Sequence, residues 1–257
     1  MLISIIVATY NAEKTLQRCL DSIIPQLSDQ VELIIIDGES EDSTNEIIAS
    51  YGDKISYTIS EPDKGIYDAW NKGIKVANGK WVAFIGADDI LLPDALDVYL
   101  KVIKETNSID MYDYICARNE YVDKDGNIIK IMGNKPDWTI FRKRMNAAHV
   151  ASLHHKQNLF EQIGHYDLSF KICADYELLM RKKENLRCIY LTNHIAQMQM
   201  GGMSFSTDAI IETYRIRRKH TSVSYLRNIL LIISDWLMFK SFIMRKRIKG
   251  CSLKMRE

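Results

Sequence analysis

The first hundred residues alternate between short runs of β-branched residues and longer segments with helical spacing of their apolar residues. Four runs have the composition of buried parallel strands: ISIIVA, VELIIID, KISYTIS and KWVAFIG. Between the first two, AEKTLQRCLDSIIPQL places apolar residues three and four apart, which is typical of one face of a helix. Helical segments also follow the other three runs. This alternation predicts an α/β fold with a doubly wound, mostly parallel sheet.

Polar side chains follow each of the four predicted strands. The strand ends are ATYN, IDGES, ISEPD and IGADD; three are rich in carboxylates, and the other offers hydroxyl and amide groups. In doubly wound sheets, ligands bind outside the carboxyl ends of the strands. The sequence therefore predicts a ligand site at this edge of the sheet.

The stretch SEPDKGIYDAWNKG, residues 60–73, belongs to this edge and has two interpretations. Pro62 and Gly65 are typical of a tight turn, and the helix predicted to follow carries Asp68 and Lys72 on one face. One interpretation is a capped surface helix with a few ion pairs. The other is a helix N-terminus with cationic groups that binds an anionic ligand. The carboxylates at the neighbouring strand ends favour the second.

The pattern changes after residue 105. MYDYICARNEYV and NIIKIM flank the turn VDKDGN and predict a β-hairpin added to the sheet. Residues 1–208 carry 22 Lys and Arg against 30 Asp and Glu, whereas residues 209–257 carry 12 against 3. We therefore predict one domain over residues 1–208, with halves at 1–105 and 106–208, and a basic, amphipathic helical extension over residues 209–257.

The basic extension suggests its own partner. Residues 222–249 combine a long apolar surface with Trp236, Phe239 and Phe242 and a closing MRKRIK. Charged residues interrupt the apolar run, so a membrane-spanning helix is not expected. An interfacial helix on an anionic membrane surface fits these features. The alternative is a helix packed on the protein or on a second subunit, and the sequence leaves the oligomeric state, including a homodimer, open.

Composition and missing motifs argue against several classes of protein. The five cysteines form no CxxC pair and their number is odd, so neither a zinc site nor a disulfide framework is expected. This cysteine usage predicts a protein of the reducing cytoplasm. The N-terminal LISIIVATYN does not have the pattern of a signal peptide. Without GxGxxG after the first strand, and without GxxxxGK[ST] or GxSxG, a dinucleotide oxidoreductase, a P-loop enzyme and an α/β-hydrolase fit poorly. The acidic body argues against nucleic acid as a partner.

Three carboxylates at the strand ends are candidate ligand contacts. Asp88 and Asp89 follow the fourth predicted strand directly, and adjacent carboxylates suit Mg²⁺ or Mn²⁺ bridging a diphosphate. A helix N-cap is the alternative for this pair. Asp37, after the second strand, is a candidate acceptor for a base or ribose, with a simple Asp-Gly turn as the alternative.

Catalytic candidates lie in the second half of the chain. Asp175, in ICADYELLM, is a candidate general base, with helix N-capping as the alternative. Glu177 points elsewhere on the same helix and ranks second. His154 and His155 are candidate contacts for a phosphate or an acceptor. Because adjacent histidines point in different directions, a structural role is expected for at least one of them.

Four motifs in the expected order resemble the inverting family 2 nucleotide-sugar glycosyltransferases of the GT-A fold: SIIVATYN, IIIDGESEDST, SEPDKGIYDAWNKGIKVANGKWVAFIGADD and ADYELLMR. The match spans about residues 2–205. It is nearest to bacterial enzymes that build O-antigen, capsule or exopolysaccharide. The resemblance implies a GT-A catalytic domain over residues 1–208, with a nucleotide-sugar-binding half at 1–105 and an acceptor-binding half at 106–208.

The resemblance also implies roles for individual residues. Asp175 matches the catalytic base, Asp88 matches the metal ligand of the DxD element, and Asp37 matches the Asp that contacts the base, typically uracil. His154 and Tyr176 complete the set as candidate acceptor contacts. The implied donor-binding residues are Thr9, Tyr10, Asn11, Asp37, Gly38, Ser40, Asp63, Lys64, Gly65, Asn71, Lys72, Asp88 and Asp89.

Three positions depart from the family pattern. Gly86 stands in place of the first Asp of DxD, which leaves fewer carboxylates for a metal ion. Trp70 stands in place of a common Arg, so that Lys64 or Lys72 would supply the charge for a phosphate. Ala174 replaces the usual acidic residue before the catalytic Asp.

The function implied is a single in-line displacement that uses a divalent metal ion, Mn²⁺ or Mg²⁺. The donor would be a nucleotide sugar, with UDP as the expected nucleotide, and the acceptor a polyprenyl-diphosphate-linked saccharide at the cytoplasmic face of a bacterial plasma membrane. The departures leave one alternative from another class, a non-catalytic nucleotide-sugar-binding or scaffold subunit of a polysaccharide assembly complex. A nucleotidyltransferase fits less well, because ATYNAEKT has no Gly-rich signature with Arg and Lys.

Overall fold

The computed structural model describes residues 1–123, 125–202 and 205–248. Within these residues, one sheet is built from nine strands: β1 Ile3–Thr9, β2 Val31–Asp37, β3 Tyr57–Ser60, β4 Trp81–Gly86, β5 Ile90–Leu91, β6 Tyr114–Val122, β7 Ile128–Met132, β8 Leu153–His155 and β9 Cys188–Gln199. The strand order is β3-β2-β1-β4-β8-β6-β9-β5, and β7 pairs with β6.

The predicted parallel half of the sheet is confirmed. β1 pairs in parallel with β2 and β4, and β2 pairs in parallel with β3. Thr9 lies opposite Asp37, which in turn lies opposite Ser60, so the polar ends of three strands meet at one edge. β1, β2 and β4 are buried along their whole length, because both faces of the sheet are covered.

The other half of the sheet is mixed. The predicted hairpin is confirmed, since β6 and β7 pair in an antiparallel manner. β8 is antiparallel to both β4 and β6, and it joins the two halves. The long strand β9 lies parallel to β6. The second half of β9 pairs with β5, the short strand that follows Asp88 and Asp89 in the sequence. The strands β5, β8 and β9 were not predicted.

The described part of the chain has eight α-helices: α1 Leu16–Ile23, α2 Thr44–Ser50, α3 Ile66–Val76, α4 Ala95–Glu105, α5 Trp138–Phe141, α6 Ala174–Met180, α7 Thr207–Lys219 and α8 Tyr225–Ile248. The first helix is shorter than its apolar spacing predicted. It begins only after a turn, and its continuation around Pro25 is a 3-10 turn, because proline has no N–H to extend an α-helix.

Two apolar layers form the core, one on each face of the sheet. Alternate residues of β1 enter opposite layers, as a strand period of two requires. Ile3 and Ile5 pack with the side chains of α1 and α4. Ile6 packs with α3 and α6, in a layer rich in aromatic rings that includes Trp70. Both α3 and α6 are thereby fixed against the same face of the sheet.

The C-terminal helices pack on the preceding residues. Arg217 of α7 is fully buried, donates to the Lys143 carbonyl at 2.7 Å and forms an ion pair with Asp235 of α8 at 3.0 Å. α7 therefore forms part of the packed unit with residues before 209. Residues 249–257, the end of the predicted extension, lie outside the described residues. None of the helices that the structure describes is both long and apolar enough to cross a membrane.

Candidate active site

The end of β1 presents one exposed aromatic ring. Tyr10 is 66% exposed, and its ring lies beside Gly38. Asn11 adopts a φ of 47°, and its side-chain oxygen accepts a hydrogen bond of 3.0 Å from the loop after β2. Thr9 is buried and donates to Asp37 Oδ1 at 2.8 Å. Tyr10 is thus free to stack on a ligand ring, whereas Thr9 and Asn11 hold the two loops together.

Asp37 has no exposed surface. Its carboxylate accepts hydrogen bonds from the backbone N–H of Ser40 at 2.9 Å and from the hydroxyls of Ser40, Ser60 and Thr9 at 2.5, 2.6 and 2.8 Å. Burial alone would raise the pKa of Asp37, but these bonds lower it below its usual value. Asp37 therefore holds the loop of Gly38 and Ser40 in place, and its contact with a base stays a prediction.

Asp63 reaches the same loop from the end of β3. A Cβ at Gly38 would lie 2.6 Å from Asp63 Oδ2, so the two loops approach this closely only because residue 38 has no side chain. Asp63 Oδ1 accepts from the N–H of Gly65 at 2.7 Å, and Gly65, at φ 110°, is the N-cap of α3. Lys64 is exposed beside them. Asp63, Lys64 and Gly65 therefore line the predicted edge, next to Tyr10.

Asn71 and Lys72 do not face this edge freely. The Asn71 side chain donates to the carbonyl of Tyr166 and accepts from its N–H, both at 3.0 Å. Lys72 donates to the carbonyl of Pro62 at 2.7 Å and pairs with Glu61 at 2.9 Å. Asn71 thus holds the chain before α6 and Lys72 holds the turn before α3, and the donor contacts of both side chains stay predictions.

Trp70 explains one departure from the family pattern. The ring is 5% exposed, stacks on His149 with a centroid distance of 5.1 Å and tilts against Phe84 at the same distance. Position 70 therefore faces the aromatic core in this chain, where an arginine would be buried among rings.

Asp88 and Asp89 differ in exposure although they are adjacent. Asp88 is exposed. Asp89 is buried and accepts from the N–H of Gly86 at 3.0 Å; burial and the neighbouring charge of Asp88 raise its pKa well above the ordinary range. The N-cap of α4 is Asp94, so capping of this helix does not explain the pair. Asp89 stabilises the turn after β4, and Asp88 is the carboxylate that a ligand can reach.

The fit of a divalent cation follows from these two carboxylates. No three His, Cys, Asp or Glu side chains lie together as a metal site in the parts of the chain that the structure describes. Oxygens of Asp88 and Asp89 both approach Gly86, at 3.1 and 3.0 Å from where its Cβ would be. Mg²⁺ is commonly held by one or two carboxylates while phosphates and water supply the remaining oxygens. The residues therefore fit a cation that binds together with a diphosphate.

Asp175 lies in the first turn of α6, whose N-cap is Cys173, so the N-cap alternative is wrong. Its Oδ1 is 3.0 Å from the hydroxyl of Tyr67, which is 2.6 Å from the carbonyl oxygen of Ile172. Burial raises the pKa of Asp175 to about 6, against hydrogen bonds that lower it. A carboxylate with a pKa near the working pH is suited to take a proton as a general base.

The candidate acceptor contacts are buried. His154 has no exposed surface, and its Nδ1 is 3.1 Å from the carbonyl oxygen of Ser152. Tyr176 donates to the carbonyl of Phe141 at 2.5 Å and is also buried. The predicted acceptor contacts of His154 and Tyr176 are therefore corrected, because both side chains belong to the core. His155, also buried, has the structural role expected of at least one of the pair.

Glu177 is a structural carboxylate. It accepts from Arg181 Nε at 2.9 Å and lies 2.8 Å from Lys219 Nζ and 2.9 Å from His220 Nε2. Burial would raise the pKa of Glu177, but the hydrogen bonds from His220, Arg181 and Lys219 lower it to about 2. It ties α6 to the end of α7 and is not poised to accept a proton.

Sequence reasoning missed two residues at the candidate base. Tyr67 lies inside the stretch 60–73 but carries no charge that would draw attention to it. Glu212 belongs to the segment interpreted as a basic extension, and it accepts hydrogen bonds from the backbone just before α6. A signal existed, because residues 209–257 contain only three acidic residues, and a carboxylate in so basic a segment is expected to have a specific partner.

Comparisons with known proteins identify the family and the fold. Residues 4–163 match the family model "Glycosyl transferase family 2". A "PGL/p-HBAD biosynthesis glycosyltransferase" of Mycobacterium tuberculosis is 28% identical over 253 residues, 94% of each chain. Among solved structures, S. aureus TarS with UDP-GlcNAc aligns with a TM-score of 0.68 and 18% identity, over 90% of this chain and 70% of that one. The mannosyltransferase PcManGT from Pyrobaculum calidifontis, with GDP-Man and Mn²⁺, aligns with a TM-score of 0.59 and 16% identity, over 85% and 62%.

The family model spans well over half of the chain, and the mycobacterial relative matches it almost from end to end. The mixed, mostly parallel sheet with its helices matches the GT-A fold of the solved structures. The chain belongs to glycosyl transferase family 2 and is a glycosyltransferase of the GT-A fold.

Proposed function

We propose that this enzyme transfers a sugar from a nucleotide-sugar donor to an acceptor hydroxyl with inversion at the anomeric carbon. The observation that carries the proposal is Asp175, a carboxyl group with a pKa of about 6, held by Tyr67 beside the donor-binding stretch. UDP-sugars are the first donors to test, since TarS binds UDP-GlcNAc on the same fold. Tyr10 would stack on the base, and Asp63 would accept a hydrogen bond from the nucleoside.

The reaction is a single in-line displacement. Asp175 accepts the proton of the acceptor hydroxyl while its oxygen forms a bond to the anomeric carbon. The bond between that carbon and the diphosphate breaks on the opposite side, so an α-linked donor yields a β-glycoside. Gly65 and Lys64, at the N-terminus of α3, bind the leaving diphosphate. Asp88 would hold a divalent cation, which would supply positive charge to the same diphosphate.

The acceptor is a saccharide linked to a polyprenyl diphosphate, as in the synthesis of O-antigen, capsule or exopolysaccharide. Exposed apolar residues on α8 support a lipid-bound partner. Five of them form the α8 stripe: Leu226, Leu230, Ile233, Leu237 and Met244. Their spacing of four, three, four and seven places them on one face of the helix. Among the described side chains of α8, the exposed charged ones, Arg227 and Lys240, are basic. The enzyme would therefore lie at the cytoplasmic face of a bacterial plasma membrane.

A thermal-shift screen tests the donor. UDP-, GDP- and dTDP-sugars are each added with Mn²⁺ and with EDTA, because a ligand that binds only the native state raises the melting temperature. We expect one nucleotide to raise it in Mn²⁺ and not in EDTA. No shift with any donor, from protein shown to be folded, would instead favour a non-catalytic scaffold subunit.

A vesicle assay tests the α8 stripe. The variant L230Q/L237Q is expected to lose most of its cosedimentation with phosphatidylglycerol vesicles, because two of the five apolar contacts are removed. Wild type should bind pure phosphatidylcholine vesicles more weakly than anionic ones. Ile128→Gln, an exposed isoleucine of β7, is the matched control and should bind as wild type. Unchanged binding by L230Q/L237Q, with loss of a dimer in sedimentation velocity, would show that the stripe serves a homodimer.

A further inference from the structure

The backbone that leads into α6 is bound by a carboxylate from α7. Glu212 accepts hydrogen bonds from three consecutive N–H groups, those of residues 171–173, at 2.7, 3.0 and 2.9 Å. Glu212 itself is buried, so these bonds are shielded from water. Hydrogen bonds to an ionised acceptor are about twice as strong as neutral ones. The segment that ends two residues before Asp175 is therefore held by one side chain from a distant helix.

The same segment is held from its other side by α3. The hydroxyl of Tyr67 lies 2.6 Å from the carbonyl oxygen of Ile172 and 3.0 Å from Asp175 Oδ1. Ile172 thus has its N–H bound by Glu212 and its carbonyl bound by Tyr67. Movement of this peptide would change the distance between Tyr67 and Asp175, so the position of the peptide and the orientation of Asp175 are linked.

Glu212 also bears on Asp175 through its charge. Burial raises the pKa of Asp175, and the negative charge of Glu212 acts in the same direction. The other titratable groups that face Asp175 are three phenols and a thiol, whose pKa values burial raises, so they are neutral at pH 7: Tyr67, Tyr121, Tyr166 and Cys173. Ala174, the residue directly before Asp175, has no polar side chain that could bind this backbone or place a charge near Asp175.

We infer that Glu212 is a positioning residue for Asp175, which fixes the peptides of residues 171–173 and keeps a negative charge near the base. The inference rests on the proposed function, in which Asp175 accepts the proton. It assigns a part in the reaction to α7, a helix outside the residues that the family model matches.

Glu212→Gln is the first test, measured as UDP release from UDP-GlcNAc in Mn²⁺ as a function of pH. The amide keeps the size of the side chain but loses its charge and one acceptor oxygen. We expect kcat to fall about 10- to 100-fold with KM little changed, because a misplaced base slows only the chemical step. We also expect the acid limb of the profile to move to lower pH by roughly half a unit, because a like charge is removed from beside Asp175.

Two further variants separate the role of Glu212 from simple support of the fold. Asp208→Asn removes an exposed carboxylate from the first turn of the same helix and should change neither kcat nor the acid limb. Glu212→Asp keeps the charge but is one methylene shorter, so the acid limb should stay in place while kcat falls severalfold. It also keeps the test open if the Gln variant does not fold.

The outcomes are distinct. A loss of kcat in Glu212→Gln with an unmoved acid limb would reduce Glu212 to a structural residue and overturn the inference, and so would full activity in Glu212→Asp. Asp175→Asn is measured in parallel. If Asp175→Asn keeps wild-type turnover, the proposed function fails, because Asp175 is then not the general base. If Asp175→Asn is inactive while Glu212→Gln has normal activity, only the inference about Glu212 fails.

Discussion

Asp175→Asn is expected to lower turnover by about 10³-fold or more while the thermal shift produced by the donor stays as in wild type. The amide keeps the shape of the side chain and its contact with Tyr67, but it cannot accept a proton, and general bases contribute about 10²–10⁴-fold to such rates. The measurement pairs UDP release with donor-induced melting shifts. Glu177→Gln is an unsuitable comparison because Glu177 ties two helices together, so Asp167→Asn, at a half-buried partner of Lys219, is the matched control. Wild-type turnover in Asp175→Asn would remove the base from the mechanism.

The same variant is expected to be more stable than wild type at neutral pH. Burial raises the pKa of Asp175 to about 6 in the folded protein, above its value of about 4 in an unfolded chain. The contribution of protonated Asp175 to the free energy of unfolding is therefore fully present below about pH 4 and is lost as the pH rises through about 6. Asparagine does not titrate, so its melting temperature should exceed that of wild type at pH 7 and the difference should vanish below pH 4. The wild-type activity should rise along the same limb, near pH 6.

Asp88→Asn is expected to abolish the metal-dependent part of donor binding and to lower turnover by roughly 10²–10³-fold. A cation on a leaving diphosphate contributes several kcal/mol of charge stabilisation, and Asp88 is the exposed carboxylate after β4. The measurement compares the melting shift with donor in Mn²⁺ and in EDTA. Asp94→Asn is the matched control: it is an exposed aspartate in a left-handed conformation that asparagine also tolerates, six residues further on.

A melting shift that is equally sensitive to EDTA in Asp88→Asn and in wild type would show that another group holds the cation. In that case Asp89 would be the first candidate, since its carboxylate also lies beside Gly86. A shift that is insensitive to EDTA in both proteins would separate donor binding from metal binding altogether.

The parallel half of the fold could be predicted because each of its strands has a clear signal in its own sequence. β1, β2 and β4 are buried on both faces, so each must be a continuous apolar run, and such runs are visible without knowledge of their neighbours. Parallel pairing then brings Thr9, Asp37 and Ser60 together at one edge. In contrast, β9 is half-buried over most of its length and carries mixed residues, so its sequence lacks a clear strand signal.

The contacts within the site that the sequence did not reveal have a common physical cause. Asn71, His154 and Tyr176 are polar residues near functional motifs, and sequence alone does not show that their partners are backbone groups inside the core. The amide of Asn71 is satisfied by Tyr166, 95 residues away in the chain. A buried polar group must have such a partner, but its identity depends on how two distant segments pack. Asp37 is a similar case, since its partners make it part of the frame of the site.

The position of α3 has a consequence for the order of events during turnover. In the proposed mechanism its N-terminal turn, with Lys64 and Gly65, binds the donor, and two residues after Gly65 the side chain of Tyr67 contacts Asp175 and the peptide before it. Because the first turn of α3 is rigid, a shift of the backbone at Gly65 also shifts Tyr67. A donor that draws the start of α3 towards its phosphates therefore also sets the partner of the base, which favours kinetics in which the nucleotide sugar binds first and the acceptor second. Product inhibition by UDP that is competitive with the donor and noncompetitive with the acceptor would be the sign of that order.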